Sequence, residues 1–267
     1  EYVKHQTPKD LTIVYCAGQG DFKTTGLSNL GHPGLVTKII AGHFGGSPKL
    51  SRFALDNKIQ AYNFPQGVLS QMFRDIAAHK PRTISAVGLG TFVDPRLQGG
   101  KVNSLTTEDM IDLIEFDGKE YLSYRTFPID IAILRGTTAD ELGNISMERE
   151  ALTLESQAQA MAVKNSGGKV IVQVERIAKQ GTLSPRDIEI PGIMVDAVVI
   201  SKPENHWQTY EEPYNPAYSG ETKAPMALVP ALDLNIRKII TRRAAMELKP
   251  DDVINLGIGM ADGIANV

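Results

Sequence analysis

The sequence predicts an α/β protein built on a largely parallel sheet with flanking helices. Three observations predict it. Short apolar runs alternate with stretches of helical spacing. Several of those runs empty into glycine-rich turns, as Leu11–Cys16 does into Ala17-Gly-Gln-Gly-Asp21 and Thr83–Val87 into Gly88-Leu-Gly-Thr91. Between them, Ile59–Asn63 reads as a strand, Pro65-Gln66-Gly67 as a tight turn, and Val68 onward as a helix with Val68, Met72, Phe73 and Ile76 on one face.

Taken in order, Leu11–Cys16 is continuous and apolar, as in a strand covered on both faces. Gly31-His-Pro-Gly34 breaks the chain before a strand, or short helix and strand, over Leu35–Ala41, and His43, Gly45, Gly46 and Pro48 read as a loop. The exits after Asn63 and Val87 are expected from parallel strands and so at one sheet edge, where ligands bind in open α/β folds. Asp117-Gly118 between apolar runs marks a hairpin within Ile111–Tyr124. Ile129–Leu134 reads as a buried strand, Ala151–Val163 as a helix stopped by Asn165-Ser-Gly-Gly168, and Lys169–Val174 and Asp196–Ile200 as further strands. Proline, tyrosine and glutamate then dominate 202–234, a linker or strap packed onto a surface. A helix over Ile236–Leu248 and a strand, glycine turn and helix from Val253 read as the start of a second α/β domain, cut off inside its helix.

Composition narrows the function. The 267 residues fit one large domain and part of another. A net charge of −3 without a basic run argues against nucleic acid. No apolar stretch approaches the roughly 20 residues that span a bilayer. Cys16, the single cysteine, reads as a small buried hydrophobe and points to a reducing compartment. The five histidines show no metal-ligand spacing. Gly257-Ile-Gly-Met-Ala-Asp-Gly263 approximates a dinucleotide fingerprint, but its third glycine is one residue late.

What remains is the turn at Gln66. Gln66 offers an amide with donor and acceptor, Gly67 permits close approach to the backbone, and the amides of a helix start favour an oxygen carrying negative charge. Glu175 and Asp21, at strand exits, are carboxylates able to face the same edge. On these residues alone the reading is an α/β enzyme that binds an oxyanion or acyl group.

Longer motifs carry a resemblance. Asp10-Leu-Thr-Ile-Val-Tyr-Cys-Ala-Gly-Gln-Gly-Asp21, Asn63-Phe-Pro-Gln-Gly67, Gly88-Leu-Gly-Thr-Phe-Val-Asp-Pro-Arg96, Arg135-Gly-Thr-Thr-Ala-Asp140 with Gly143-Asn-Ile145, and Tyr214-Asn-Pro-Ala-Tyr-Ser-Gly-Glu221 together resemble family I coenzyme A transferases. The likeness is to the fused-chain type acting on short acyl-CoAs such as those of acetate, propionate or acetoacetate. It implies an α-type half over 1–201, the linker or strap over 202–234, and the start of a β-type half over 235–267, where Arg242-Arg-Ala-Ala-Met-Glu-Leu248 and Asn255-Leu-Gly-Ile-Gly259 fit.

The resemblance also implies ping-pong transfer of CoA between a short-chain acyl-CoA and a carboxylic acid through a glutamyl-CoA thioester. The nucleophilic glutamate is expected beyond Val267, so the stretch given is expected to be inactive alone; Glu175 is not promoted in its place. Gln66 is carried over as the catalytic amide. Gly67, Gly18, Gly90 and Thr91 follow as substrate-binding backbone donors or close-approach positions. No cofactor or metal is implied beyond the CoA thioester as substrate, and a cytoplasmic homo-oligomer is expected. Two alternatives stand beside this reading: a non-catalytic fragment or regulatory subunit, and a dinucleotide-dependent oxidoreductase resting on Gly257–Gly263.

Overall fold

Leu11–Tyr15 (β1), Val36–Ala41 (β2) and Gln60–Asn63 (β3) pair in parallel, in the order β1-β2-β3, in the computed structural model of the chain. It describes residues 7–17, 20–225, 229–257 and 259–267, divided between two units, Glu1–Asn215 and Pro216–Val267. In the first unit Tyr15 pairs with Ala41 and Ala41 with Asn63, so the three strands end level. The central strand β2 buries Val36, Ile39, Ile40 and Ala41. By contrast β1 lies at the edge, and its Thr12 is exposed, so it is not covered on both faces as expected.

Between β2 and β3 runs a helix, Pro48–Leu55 (α1), which begins at the proline expected to close a loop. Proline is suited to its first turn, where an amide has no partner anyway. With eight residues it shows little more than two turns of periodicity, and only Leu50 and Ala54 are fully buried. The helix after β3, Gln66–Ala77 (α2), starts at Gln66 with Pro65 as its N-cap, two residues before the expected Val68. Val68, Leu69, Met72, Phe73 and Ile76 are buried as the spacing requires, in one cluster with Ala158 and Ala162 of Ser156–Asn165 (α3). Helix α3 begins later than Ala151, because Leu154 adopts φ 50°, and ends where Gly167 takes φ 81°.

One expectation fails outright. Arg82–Ser85 (β4) is not a parallel neighbour of β3. It pairs antiparallel with Lys119–Arg125 (β6), which also pairs antiparallel with Ile111–Phe116 (β5). The β5–β6 turn is the expected one, with Asp117 and Gly118 both at positive φ. Ile131–Arg135 (β7), Lys169–Val174 (β10) and Ala197–Ile200 (β13) form a second parallel sheet in the order β13-β10-β7. Strand β7 is half-buried rather than buried: Ala132 and Leu134 point inward, whereas Ile133 is 81% exposed. Thr138–Asp140 (β8), Ile145–Ser146 (β9), Arg176–Ala178 (β11) and Ile188–Ile190 (β12) make a small mixed sheet.

The strap as far as Asn215 is packed down. Arg149 lies 3.8 Å from the centre of the Tyr214 ring, Gln208 Nε2 donates to the Arg149 carbonyl at 2.8 Å, and Arg135 Nη1 donates to the Trp207 carbonyl at 2.8 Å. In the second unit Ile236–Ala245 (α4) is capped by Asn235, whose side chain accepts from the Lys238 amide. No strand forms at Val253 among the described residues, and Ala261–Asn266 is a 3-10 turn. A dinucleotide fingerprint needs a strand before its glycines and an α-helix after them, and Gly257–Gly263 has neither. Among the described residues no helix is long and apolar enough to cross a membrane.

The loop after β4 reaches the first sheet by a different route. Lys101 bridges antiparallel to Tyr62, and the Val102 amide donates to the Ala61 carbonyl at 2.9 Å. The Asn63 amide in turn donates to the Gly100 carbonyl at 2.8 Å. The 100–102 segment therefore runs back along β3, with Gly100 seated on Phe64. A Cβ at Gly100, held at φ 72°, would lie 3.1 Å from the Phe64 ring and 3.2 Å from the Asn63 carbonyl oxygen. Gly100→Ala should therefore cost about 1–3 kcal/mol, read as a lowered urea midpoint with unchanged slope. A neutral substitution would show that this seat does not hold the loop.

Candidate active site

Four chain segments meet beyond the level ends of β1, β2 and β3. The first three are the direct exits. Gly42 donates its amide to the Cys16 carbonyl at 3.0 Å, and the Phe64 amide donates to the Ala41 carbonyl at 3.0 Å. Asn63 reinforces this: its Nδ2 donates to the carbonyls of Ala41 and Gly42, each at 2.9 Å. Gly20 packs so closely on the Gly46 carbonyl that a Cβ would lie 2.4 Å away, and the Phe22 ring meets His43 edge-on at 6.5 Å.

Gln66 stands on this floor. A Cβ at residue 42 would lie 2.3 Å from Gln66 Cγ and 2.5 Å from the Cys16 carbonyl oxygen, so only glycine lets the Gln66 side chain rest there. The Val68 and Leu69 amides bond back to the Pro65 carbonyl, which leaves those of Gln66 and Gly67 without a partner among the described residues. Both residues are exposed, and the pro-Cβ side of Gly67 meets open space. A helix start with free amides and a side-chain carboxamide beside them favours a carboxylate, a thioester carbonyl or the oxyanion formed from either.

The fourth segment is the 86–100 loop. Its antiparallel return along β3 places residues before Gly100 beyond Asn63, at the edge where Gln66 sits, and the Gly100 amide donates to the Phe92 carbonyl at 3.1 Å. Both glycine-rich exits thus reach one edge, although β4 is in another sheet. Gly90 and Thr91 are not free donors, however. The Gly90 amide is spent on Asp94 Oδ2 at 2.9 Å, and both the amide and the hydroxyl of Thr91 donate to the Gly88 carbonyl. Gly18 lies outside the described residues.

The two carboxylates expected at this edge are structural, and Glu175 follows β10 in the second parallel sheet rather than any of β1–β3. Glu175 is paired with Arg149 at 2.8 Å, and Asp21 accepts the amides of Lys23, Thr24 and Thr25. Burial works against the charged form of Asp21, but the Thr25, Lys23 and Thr24 amides hold its carboxyl below the usual range. Cys16 is inert for a related reason: burial, with the Glu155 carboxylate beside it, pushes its thiol up to about 12. Among the described residues no group of three or more histidine, cysteine or acidic side chains is placed to hold a metal.

Three contributors were not singled out from the sequence: Gly42, Asn63 and Asp94. Asn63 and Asp94 lie inside quoted motifs, but nothing in their type reveals that one laces strand ends together and the other braces a loop. Asp94, almost wholly buried, accepts from the Gly90 amide and from the amide, Nε and Nη2 of Arg96, and Arg96 Nη1 continues to Glu120 at 2.9 Å. The Arg96 side chain, with the Gly90 amide, holds the Asp94 carboxyl well below the usual carboxylate range. A depressed folded pKa gives stability that is present above the ordinary aspartate value of about 4 and lost as pH falls toward the folded value. Asp94→Asn should therefore melt below the parent at neutral pH, and the gap should narrow as pH drops below about 4. A gap that stays constant through acid would mean the charge on Asp94 does not brace the loop.

The Coenzyme A transferase family matches residues 1–201. A caffeate CoA-transferase of Acetobacterium woodii is 48% identical over 261 residues, covering 97% of this chain and 50% of that protein. The acetate CoA-transferase YdiF of Escherichia coli strain K12 is 46% identical over 268 residues, covering 100% of this chain and 50% of its own. A crystal structure of the acyl-CoA transferase YdiF from E. coli O157:H7, in a thioester complex with CoA, superposes with a TM-score of 0.91 at 45% identity, over 98% of this chain and 50% of that one. The chain spans about half the length of the curated relatives it matches. With its family match, these identities and the shared fold, the chain belongs to the coenzyme A transferase family.

Proposed function

We propose that the protein transfers coenzyme A between a short-chain acyl-CoA and a carboxylic acid, with the Gln66 edge receiving the acyl oxygen. The observation that carries this is the seat of Gln66: an exposed carboxamide, two unpartnered helix-start amides and a bare glycine beneath. The relatives named for transfer to caffeate and to acetate support the reaction class, and the thioester complex of YdiF supports a thioester route.

In this reading a glutamate carboxylate attacks the thioester carbonyl, and the C–S bond breaks to give an acyl-glutamyl anhydride and CoA thiolate. The thiolate then attacks the glutamyl carbonyl, releasing the first carboxylate and leaving glutamyl-CoA. An acceptor carboxylate runs the same steps in reverse. Glu175 is tied to Arg149, and Asp21 and Asp94 are consumed by amides and Arg96. The resemblance implies a nucleophilic glutamate beyond Val267, in keeping with a chain that spans about half the length of its relatives. The chain's own contribution is at the oxygen. Gln66 Nε2 and the amides of Gln66 and Gly67 donate to charge that grows in each tetrahedral transition state. The free thiol Cys16 fits action in a reducing, cytoplasmic setting.

Gln66→Ala in the full-length enzyme removes one of these donors. Transfer from acetyl-CoA to a panel of short carboxylic acids should fall about a hundredfold or more in kcat, matching the roughly 2.7–4 kcal/mol of one oxyanion donor. Affinity for CoA should be little changed. Near-normal kcat with a lowered thermal midpoint would confine Gln66 to shaping the turn.

A further inference from the structure

The 86–100 loop is braced far beyond what a connection needs. Asp94 takes four hydrogen bonds within it. Tyr124 Oη donates to the Val87 carbonyl at 2.7 Å, and Val93 is buried in one cluster with Phe64 and Val68. Gly100 ties the loop to the last residue of β3 on one side and to the Phe92 carbonyl on the other. Its polar groups at Gly90 and Thr91 are turned inward upon the loop itself. What the loop offers outward is apolar: Phe92, beside Gly90 and Thr91, is 42% exposed, and Val87 and Leu97 toward its two ends are exposed as well.

A rigid loop that spends the donors of Gly90 and Thr91 internally and presents an apolar ring beside them is suited there to contact carbon rather than to bind oxygen. Beside it, the Gln66 edge supplies oxygen-binding groups. An acyl group has both parts: a carbonyl, and a carbon tail whose bulk differs between substrates. We propose that Phe92 is the specificity-determining residue of this edge, the wall that sets the size of acyl group accepted there. The proposal rests on the transferase reading of the Gln66 site. It assigns Phe92 to the β3 side, where the loop lies, and not to the β1 side, where Phe22 is engaged by Tyr210 at 5.4 Å and His43 at 6.5 Å.

The test compares the full-length parent with Phe92→Ala, Phe92→Leu and Phe22→Ala, each first checked for an unchanged thermal midpoint. The kcat/KM for benzoyl-CoA is divided by that for acetyl-CoA with one acceptor acid, and the same ratio is taken from dissociation constants by calorimetry. Removing several ring carbons from a size-selecting wall should raise the ratio at least about tenfold in Phe92→Ala. Phe92→Leu should fall between the parent and Phe92→Ala and stands in if the alanine variant does not fold. A parent that binds both thioesters without transfer, yet whose binding ratio shifts in the Phe92 variants, would refute the transferase reading and sustain the wall. An unchanged ratio in both measurements overturns the proposal, as does a shift caused by Phe22→Ala alone.

Discussion

The level ending of β1, β2 and β3 is the constraint on which the rest depends. Because Tyr15, Ala41 and Asn63 lie in one register row, the next residues of all three strands leave together. Their freed backbone groups must then find partners, since a buried carbonyl without one costs about 1–3 kcal/mol. Asn63 meets two of them, the Ala41 and Gly42 carbonyls, with a single carboxamide; the Phe64 amide shares the Ala41 carbonyl and the Gly42 amide meets that of Cys16. The outcome is a backbone floor so dense that residue 42 has no room for a side chain, and Gln66 rests on it. Gln66 therefore owes its position to packing beneath it rather than to hydrogen bonds around it, which leaves its amide free for a ligand.

Charge is distributed in keeping with that division. Acidic groups such as Asp21, Asp94 and Glu175 are matched by fixed partners and serve as braces. Glu150 shows this most fully. It is ion-paired to Arg135 at 2.8 Å, with His206 Nε2 at 3.5 Å. Burial opposes its charge, but His206 and Arg135 outweigh burial and hold the carboxyl below the usual range. The Gln173 amide donates to the Asn205 carbonyl at 3.1 Å and lies 2.9 Å from His206 Nδ1. This cluster ties the strap to the second parallel sheet. Truncating one partner of such a buried pair leaves an uncompensated charge, whereas the exposed pairs elsewhere contribute little.

The sequence made the apolar frame legible and hid the contacts that complete the site. Val68, Met72, Phe73 and Ile76 repeat at helical spacing because one face of α2 is buried, and Asp117-Gly118 tolerates the positive φ of a tight hairpin, so both were readable locally. Strand β4 misled, because Thr83–Val87 looks alike whether its partner is parallel or antiparallel, and the partner chosen was β6, some forty residues on. Ile131 and Ile133 read as core because hydropathy records that a side chain is apolar, not which face its sheet leaves uncovered. The reach of the 86–100 loop to the Gln66 edge was expected for the wrong reason. It arises from the antiparallel return of residues 100–102 along β3, a long-range pairing that no local spacing announces.

That return along β3 holds the two parts of the site together, so amide hydrogen exchange at Asn63 and Val102 tests the account most directly. Both amides are bonded across it, Asn63 to Gly100 and Val102 to Ala61. They should exchange as slowly as the amides inside β2 and β3, by opening of the whole unit rather than of a loop. Exchange of both at the rate of an exposed loop, with β2 still protected, would contradict it: the loop would not be fixed at the Gln66 edge, and the site would lose its second wall.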